Sequence, residues 1–288
     1  MEKQMKTRSK IALAIVVMAV MVWEGCSKNP AEPQVNMISV DDDVAASMAT
    51  TVAENTGGSM DQVNDLLSLT TTAPLQKSME ADQIEDKSTV YDEATGIWTA
   101  VISRTRGQVD GAYYAMFSRT YTYQFLDKNG QPQKYYITNG DTARTINFKV
   151  LNGEGAHHTP RLSQKLLDVS ANYVATGVNT PTVVINGTCK RAATDTMTTA
   201  KATRILVHST ELKLEKVTGP RGSRLDLSKK VSGTITGTYT ANITFTRGEG
   251  YTEKSVNREI NITLGNGKAR IKVVGMNYVG DLFTGDVD

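Results

Sequence analysis

The sequence predicts a mainly β fold: an antiparallel meander forming a half-barrel, a barrel or a sandwich, preceded by short N-terminal helices. Three features lead there. From residue 97 onward apolar side chains recur at every second position, the period of a strand with one buried and one wet face. The patterned runs are separated by turn-forming clusters that suit hairpins, such as Asn266-Gly267, Asn139-Gly140 and Arg247-Gly248-Glu249-Gly250. Roughly ten such runs follow one another without a βαβ unit, which favours a meander that curls.

Taken in order, the chain opens with Lys3, Lys6, Arg8 and Lys10 against Glu2 alone, followed by the uninterruptedly apolar residues 11–23. A basic start and a short apolar run make an export signal. A membrane-crossing helix needs about 18 or more apolar residues, and Glu24 stops this run well before that. Gly25 and Cys26, directly after it, resemble the lipobox of bacterial lipoproteins, in which a small residue precedes a cysteine that is lipidated and becomes the mature N-terminus. Trp23 and Glu24 depart from that pattern, where the family usually carries leucine and a small residue. The resemblance implies that residues 1–25 are a signal peptide and Cys26 is the lipid attachment site. It also implies a place at the bacterial outer membrane, on its periplasmic side or at the cell surface, since Ser27 is not the aspartate that signals inner-membrane retention. It implies nothing about the folded domain. The competing reading makes Cys26 an ordinary thiol after an ordinary signal peptide. Cys189 is the one other cysteine, so the two either pair or each has its own role.

Without residues 1–25 the chain has 28 basic and 28 acidic side chains. They are unevenly placed: residues 26–105 carry 4 basic and 13 acidic groups, and residues 106–288 carry 24 and 15. Such parts attract each other, or the later one attracts an anionic partner. Export and the dispersion of the basic groups speak against nucleic acid.

Residues 26–40, with Pro30 and Pro33, read as the lipidated cysteine and a flexible tether. Residues 41–88 read as an acidic helical segment and a loop. Asp41-Asp42-Asp43 is expected to cap a helix whose apolar positions are Val44, Ala45, Met48, Ala49, Val52 and Ala53, its acids solvated at the positive end of the helix dipole. A calcium loop would alternate its acids, turn on a glycine and close on glutamate, and this one does not. After Gly57-Gly58, Ser59-Met60-Asp61-Gln62 fits a capping box for a second helix burying Val63, Leu66 and Leu67.

Residues 89–288 read as the antiparallel β domain. One face of residues 113–125 carries Tyr113, Ala115, Phe117, Tyr121, Tyr123 and Phe125. Ile235, Tyr239, Ala241, Ile243 and Phe245 repeat the pattern, as do Val256, Ile260, Ile262 and Leu264, then Ala269, Ile271 and Val273. Leu167, Val169, Ala171 and Tyr173 alternate with polar residues and read as a strand. A transmembrane barrel alternates too, but lacks the helical preamble and would show aromatic girdles at the ends of successive strands.

Few residues suggest chemistry. His157 and His158 would point to opposite faces on a strand and could not readily share a metal there, whereas a loop would allow it. His208, in phase with Leu206, Leu212 and Leu214, reads as an inward ring satisfied by a hydrogen bond, and Cys189 as a small buried hydrophobe. No catalytic residue, metal ligand or cofactor is assigned. Seven of the eleven tyrosines lie in residues 91–136, and such rings serve ligand surfaces as well as strands. Tyr113, Phe117, Tyr121, Tyr123 and Phe125 are therefore the candidate ligand surface.

The functional expectation is a lipid-anchored envelope protein, binding or structural rather than enzymatic, with the membrane and an apolar ligand or an envelope protein as partners. A carrier holding a lipid or other apolar ligand in a curled sheet, and an envelope hydrolase, are the alternatives. A side-chain-filled core would favour the first and an empty apolar cavity of several hundred Å³, on the order of a small-molecule site, the second. Mass spectrometry of the membrane-fraction protein is expected to find Cys26 acylated, and Cys26→Ser released in unmodified form. An unmodified wild-type Cys26 would remove the anchor.

Overall fold

The computed structural model describes residues 37–71, 83–199, 202–222 and 227–287. The predicted signal peptide, the predicted lipid attachment site Cys26 and most of the predicted tether lie outside them. Two helices, α1 (Met37–Val52) and α2 (Ser59–Ser68), precede the strands β1 (Gln83–Asp92), β2 (Ile97–Gly107), β3 (Tyr114–Leu126), β4 (Pro132–Gln133), β5 (Ile137–Thr138), β6 (Asp141–Thr142), β7 (Thr145–His158), β8 (Leu162–Thr176), β9 (Thr182–Thr199), β10 (Ala202–Pro220), β11 (Ser232–Arg247), β12 (Gly250–Gly265), β13 (Lys268–Val273) and β14 (Met276–Asp281). The first helix thus begins inside the predicted tether, and the first strand inside the predicted loop. Among the described residues no helix is long and apolar enough to cross a membrane.

One antiparallel sheet holds all the long strands in the order β1-β2-β3-β7-β8-β9-β10-β11-β12-β13-β14, with β4 added to β3; β5 and β6 form a separate hairpin. The end strands β1 and β14 are not paired with each other. The sheet is open, so of the three predicted forms neither the closed barrel nor the two-sheet sandwich fits, and the half-barrel does. The predicted turns appear where expected. Asn266 and Gly267 take φ of 54° and 75°, and Asn139 and Gly140 take 52° and 81°, the paired positive values of a two-residue hairpin. Register shifts interrupt the pairings of β3 with β7, β8 with β9, and β10 with both its neighbours, and such bulges sharpen the local twist. The shift in β8 corrects one expectation. Leu166 is buried and Leu167 is 48% exposed, because the phase slips at Leu167 before Val169, Ala171 and Tyr173 resume the inward face.

The helices fill the side of the sheet that carries its apolar residues. α1 packs on β13 and β14, and α2 on β9. The two are buried almost all round: beside Val44, Ala45, Met48, Val52, Val63, Leu66 and Leu67, the core includes Asp41, Asp43, Ser47, Asp61 and Asp65. Helix α1 can approach β14 because Gly280 lacks a side chain; a Cβ there would meet Ala49 Cβ at 2.9 Å.

The acidic run is no solvated cap. Asp41 accepts from Arg258 Nε on β12 at 2.8 Å, Asp42 from the Tyr278 hydroxyl on β14 at 3.0 Å, and Asp43 from Arg204 Nη1 on β10 at 2.9 Å. The expected capping box is also absent: Gly58 is the N-cap and makes no side-chain cap bond. Gln62 instead accepts from the Tyr173 hydroxyl at 2.9 Å. On α2, Asp61 meets Arg104 and Arg106 of β2 at 3.1 and 2.8 Å and also Arg119 of β3, while Asp65 meets Arg104 and, at 3.3 Å, Arg119. Arg104 further donates from Nε to Glu85 on β1 at 2.8 Å. Three guanidinium groups and three carboxylates thus neutralise one another inside the sheet. Burial alone would raise the Asp61 pKa, but Arg119, Arg104 and Arg106 hold it well below the usual carboxylate range.

Glu54, between the helices, moves the other way. Burial, then the charge of Asp61, push it up to about 7 from 4.5, against the pull of Arg106 and a 2.7 Å bond from Asn64. The folded chain holds this proton more tightly than the unfolded chain, so its contribution to stability declines as pH rises from 4.5 to about 7. Glu54→Gln is expected to gain on wild type across that interval, by about 3 kcal/mol at most, as read by denaturant unfolding at a series of pH values. Parallel pH profiles for the two proteins would contradict this assignment.

Candidate binding pocket

An aromatic ladder crosses the first five neighbouring strands of the sheet. Tyr91 on β1 lies opposite Trp98 on β2, Trp98 opposite Tyr123 on β3, Tyr123 opposite Phe148 on β7, and Phe148 opposite Tyr173 on β8. Directly opposed aromatic side chains are among the stronger cross-strand pairs. Trp98 and Tyr123 are near parallel, 4° apart with centroids at 6.0 Å, and so are Phe148 and Tyr173 at 6° and 6.2 Å. The ladder stops on β9 at Gly187, opposite Tyr173. With φ of 153°, and with a Cβ destined to meet Asn172 O at 2.1 Å and the Tyr173 ring at 2.9 Å, that position requires glycine.

The ladder runs from fully buried at Tyr173 to half-buried at Trp98 and Tyr91. At its open end lies a cavity of about 560 Å³, lined by Ser68, Leu69 and Thr71 from the end of α2, Lys87 and Thr89 on β1, Trp98, Tyr123, Phe125, and the segment Tyr135, Tyr136, Ile137. Its walls are fixed by bonds behind them. Trp98 Nε1 donates to the Lys134 carbonyl at 2.7 Å, the Tyr136 hydroxyl to the Val178 carbonyl at 2.6 Å, and Gln133 Nε2 to the carbonyls of Tyr135 and Tyr136 at 2.8 and 3.1 Å. Lys134 Nζ sits 4.6 Å from the Tyr91 ring centroid and pairs with Glu93. Burial pushes the Tyr123 hydroxyl up to about 12, so it stays protonated. A concave, mostly apolar site of this size with a few polar groups is what small-molecule recognition uses.

Of the predicted ligand surface, Tyr123 and Phe125 line this cavity. The other three do not. Phe117 lies beneath Arg119 and Arg106, whose guanidinium carbons stand 4.7 and 5.3 Å from its centroid, and against Gly57. Tyr121 is fully buried on Phe148, and the Tyr113 hydroxyl donates to the Asn55 carbonyl at 2.8 Å. The strand phase was readable, but whether a helix covers a given ring was not. Trp98, Lys87, Tyr135 and Tyr136 were missed as a site. The concentration of tyrosines in residues 91–136 was the one signal pointing to them.

Two other groupings invite a chemical reading. Ser47, His208 and Asp195 come together, all fully or almost fully buried. Ser47 Oγ and Asp195 Oδ2 both address the same ring nitrogen, Nε2, at 3.3 and 3.1 Å, while Nδ1 has no hydrogen-bond partner among the described residues. A serine relay needs its hydroxyl and its carboxylate on opposite nitrogens and an approach for substrate; this cluster has neither. It holds α1 to β9 and β10, with Tyr239 stacked on His208 at 5.0 Å and Gln164 donating to Asp195 at 2.7 Å. A second cavity, about 710 Å³, is lined by Asp42, Asp43, Arg161 and Tyr278 among others. Its two carboxylates already hold Tyr278 and Arg204.

His157 is buried and His158 exposed, on opposite faces as expected. Burial, then Arg191, lower the His157 pKa to about 4, so the ring is neutral. Cys189 is a buried thiol pushed up by that burial. Among the described residues no group of three His, Cys, Asp or Glu side chains is placed to hold a metal. A fluorophosphonate probe is expected to leave Ser47 unlabelled in the folded protein; stoichiometric labelling there, abolished by His208→Gln, would overturn the structural assignment. Compared with protein-family models, curated proteins and solved structures, the chain matches none.

Proposed function

We propose that this chain is a lipid-anchored protein of the bacterial outer membrane that binds a ligand rather than transforming it, with the aromatic pocket beside Trp98 as the binding site. The observation that carries the reading is the cavity of about 560 Å³ at the open end of the ladder. Ring walls braced by hydrogen bonds lose little freedom when a ligand arrives, which favours binding. The anchor rests on the basic and apolar leader ending at Gly25 and Cys26.

By its size the cavity also suits the carrier reading, but a carrier that sheltered its cargo across the whole concave face would need that face open, and α1 and α2 fill it. The pocket at one end favours a small or partly exposed ligand. The hydrolase reading loses support, because Asp61 and Asp65 are held by arginines.

The test uses residues 26–288 with Cys26→Ser. This chain retains the whole compact unit of residues 36–288, and Trp98 is its single tryptophan. Titration with the neutral apolar fluorophore N-phenyl-1-naphthylamine is expected to give saturable energy transfer from Trp98. Tyr135→Ala combined with Ile137→Ala should weaken binding roughly fivefold or more through lost apolar contact. No saturable transfer, or equal binding by the double variant, would contradict the pocket assignment.

A further inference from the structure

We infer that residues 281–287 form a strap that the protonated Glu54 carboxyl keeps closed and that ionisation of this group releases. The strap follows β14 and turns back over the end of α1. Glu54 N–H donates to the Leu282 carbonyl at 2.8 Å, and Asn55 N–H to that of Phe283 at 2.9 Å. Leu282 N–H donates in turn to the Gly267 carbonyl in the turn between β12 and β13, at 2.9 Å, and the Leu282 side chain is fully buried. Gly285, at φ 82°, presses on α1 so closely that a Cβ there would stand 3.1 Å from Thr50 Cα and 3.3 Å from Ala53 Cβ. A bridge between Gly280 and Val287 completes the strap.

Glu54, itself buried, is where this strap meets the rest of the fold. From α2, Asn64 donates to its Oε1 at 2.7 Å, and Asp61 brings a charge of the same sign. From β2, Arg106 divides its guanidinium, with Nη1 on the Glu54 main-chain carbonyl and Nη2 on Asp61, both at 2.8 Å. From the 3-10 turn Leu227–Lys230, the backbone of Ser228 adds a weak bond that favours the charged form, while Lys229 and Lys230 are exposed. The acids of the strap are engaged elsewhere: Asp281 with the Phe283 and Thr284 amides and Lys268, and Asp286 with the Thr284 hydroxyl.

Asp61 is held ionised by Arg104, Arg106 and Arg119, so a second negative charge at the same buried junction is costly. Closed, the junction pushes the Glu54 carboxyl up to about 7. Opened to water, the group returns toward its ordinary 4.5. The closed form therefore holds the proton more tightly, and closure weakens as pH rises from 4.5 to about 7 and then levels off. A short segment tied by a few backbone bonds opens at lower cost than the whole sheet. Val287, at the end of the strap, is part of the wall of the cavity beside Asp42 and Asp43, so release widens that cavity.

The experiment is amide hydrogen exchange of residues 26–288 carrying Cys26→Ser, from about pH 5 to about pH 7, with each rate referred to that of an unstructured chain at the same pH. The amides of Glu54, Asn55 and Leu282 are expected to lose protection about tenfold over this range. At every pH they should be less protected than the amides of Leu206 and Tyr239 in the β10 and β11 pairing. Glu54→Gln should keep their protection level across the range. Gly285→Ala, which crowds the strap against Thr50, should lower it at every pH and leave the slope in place. Circular dichroism of each variant checks that it is folded. Constant protection in wild type, a slope that persists in Glu54→Gln, strap amides as protected as those of β10 and β11, or no effect of Gly285→Ala overturns the inference.

Discussion

The fold depends on the neutralisation of carboxylates on two buried helices by guanidinium groups that point inward from the sheet. Residues 37–71 contain six acidic side chains and no basic one. Five of those acids are buried; Glu54 keeps its proton more readily, and the other four, Asp41, Asp43, Asp61 and Asp65, would be prohibitively costly there without partners. The partners are Arg104, Arg106, Arg119, Arg204 and Arg258 on β2, β3, β10 and β12. Arg104, Arg106 and Arg119, themselves buried, are in turn costly inside the sheet without the helix carboxylates. Ion pairs of this kind add little net energy compared with an apolar core of equal volume, yet breaking one leaves an uncompensated charge. Their role is therefore to specify where each helix sits.

The aromatic ladder is the second ordering device, and it links the core to the proposed site. Rings opposed on adjacent strands align the first five neighbours of the sheet, from Tyr91 to Tyr173, and Gly187 ends the series where no side chain fits. Burial decreases along it, so a packing feature at one end becomes a surface feature at the other. The pocket is thus an extension of the core into solvent, with the orientations of Trp98, Tyr123 and Phe125 set by the sheet and those of Tyr135 and Tyr136 by the segment after β4. That rigidity is what a binding site needs.

Much of the strand content was legible because alternation and hairpin turns are local properties. Ala115, Phe117, Tyr121, Tyr123 and Phe125 lie on the predicted face, and the Asn-Gly turns fall where composition places them. The inward arginines were not legible. Arg119 occupies the gap between Phe117 and Tyr121 on the buried face, where a charged residue reads as an interruption until a carboxylate 58 positions earlier is seen to meet it. The Asp41-Asp42-Asp43 run misled for the same reason, since a cap and a buried pairing look alike without the strands. The phase slip at Leu167 follows from a bulge, which composition does not announce. The pocket was half legible: Tyr123 and Phe125 were marked by phase, whereas Trp98, Lys87 and Tyr135 join them only through strand register and the segment after β4.

The most direct measurement is the unfolding free energy of Asp61→Asn, alone and combined with Arg119→Met, by denaturant titration at neutral pH. Loss of one carboxylate from the cluster is predicted to cost about 3 kcal/mol or more, and removal of the facing guanidinium to recover a substantial part of that loss. A single variant within about 0.5 kcal/mol of wild type, or a double variant that simply sums two losses, would contradict the dependence of this fold on its buried charges.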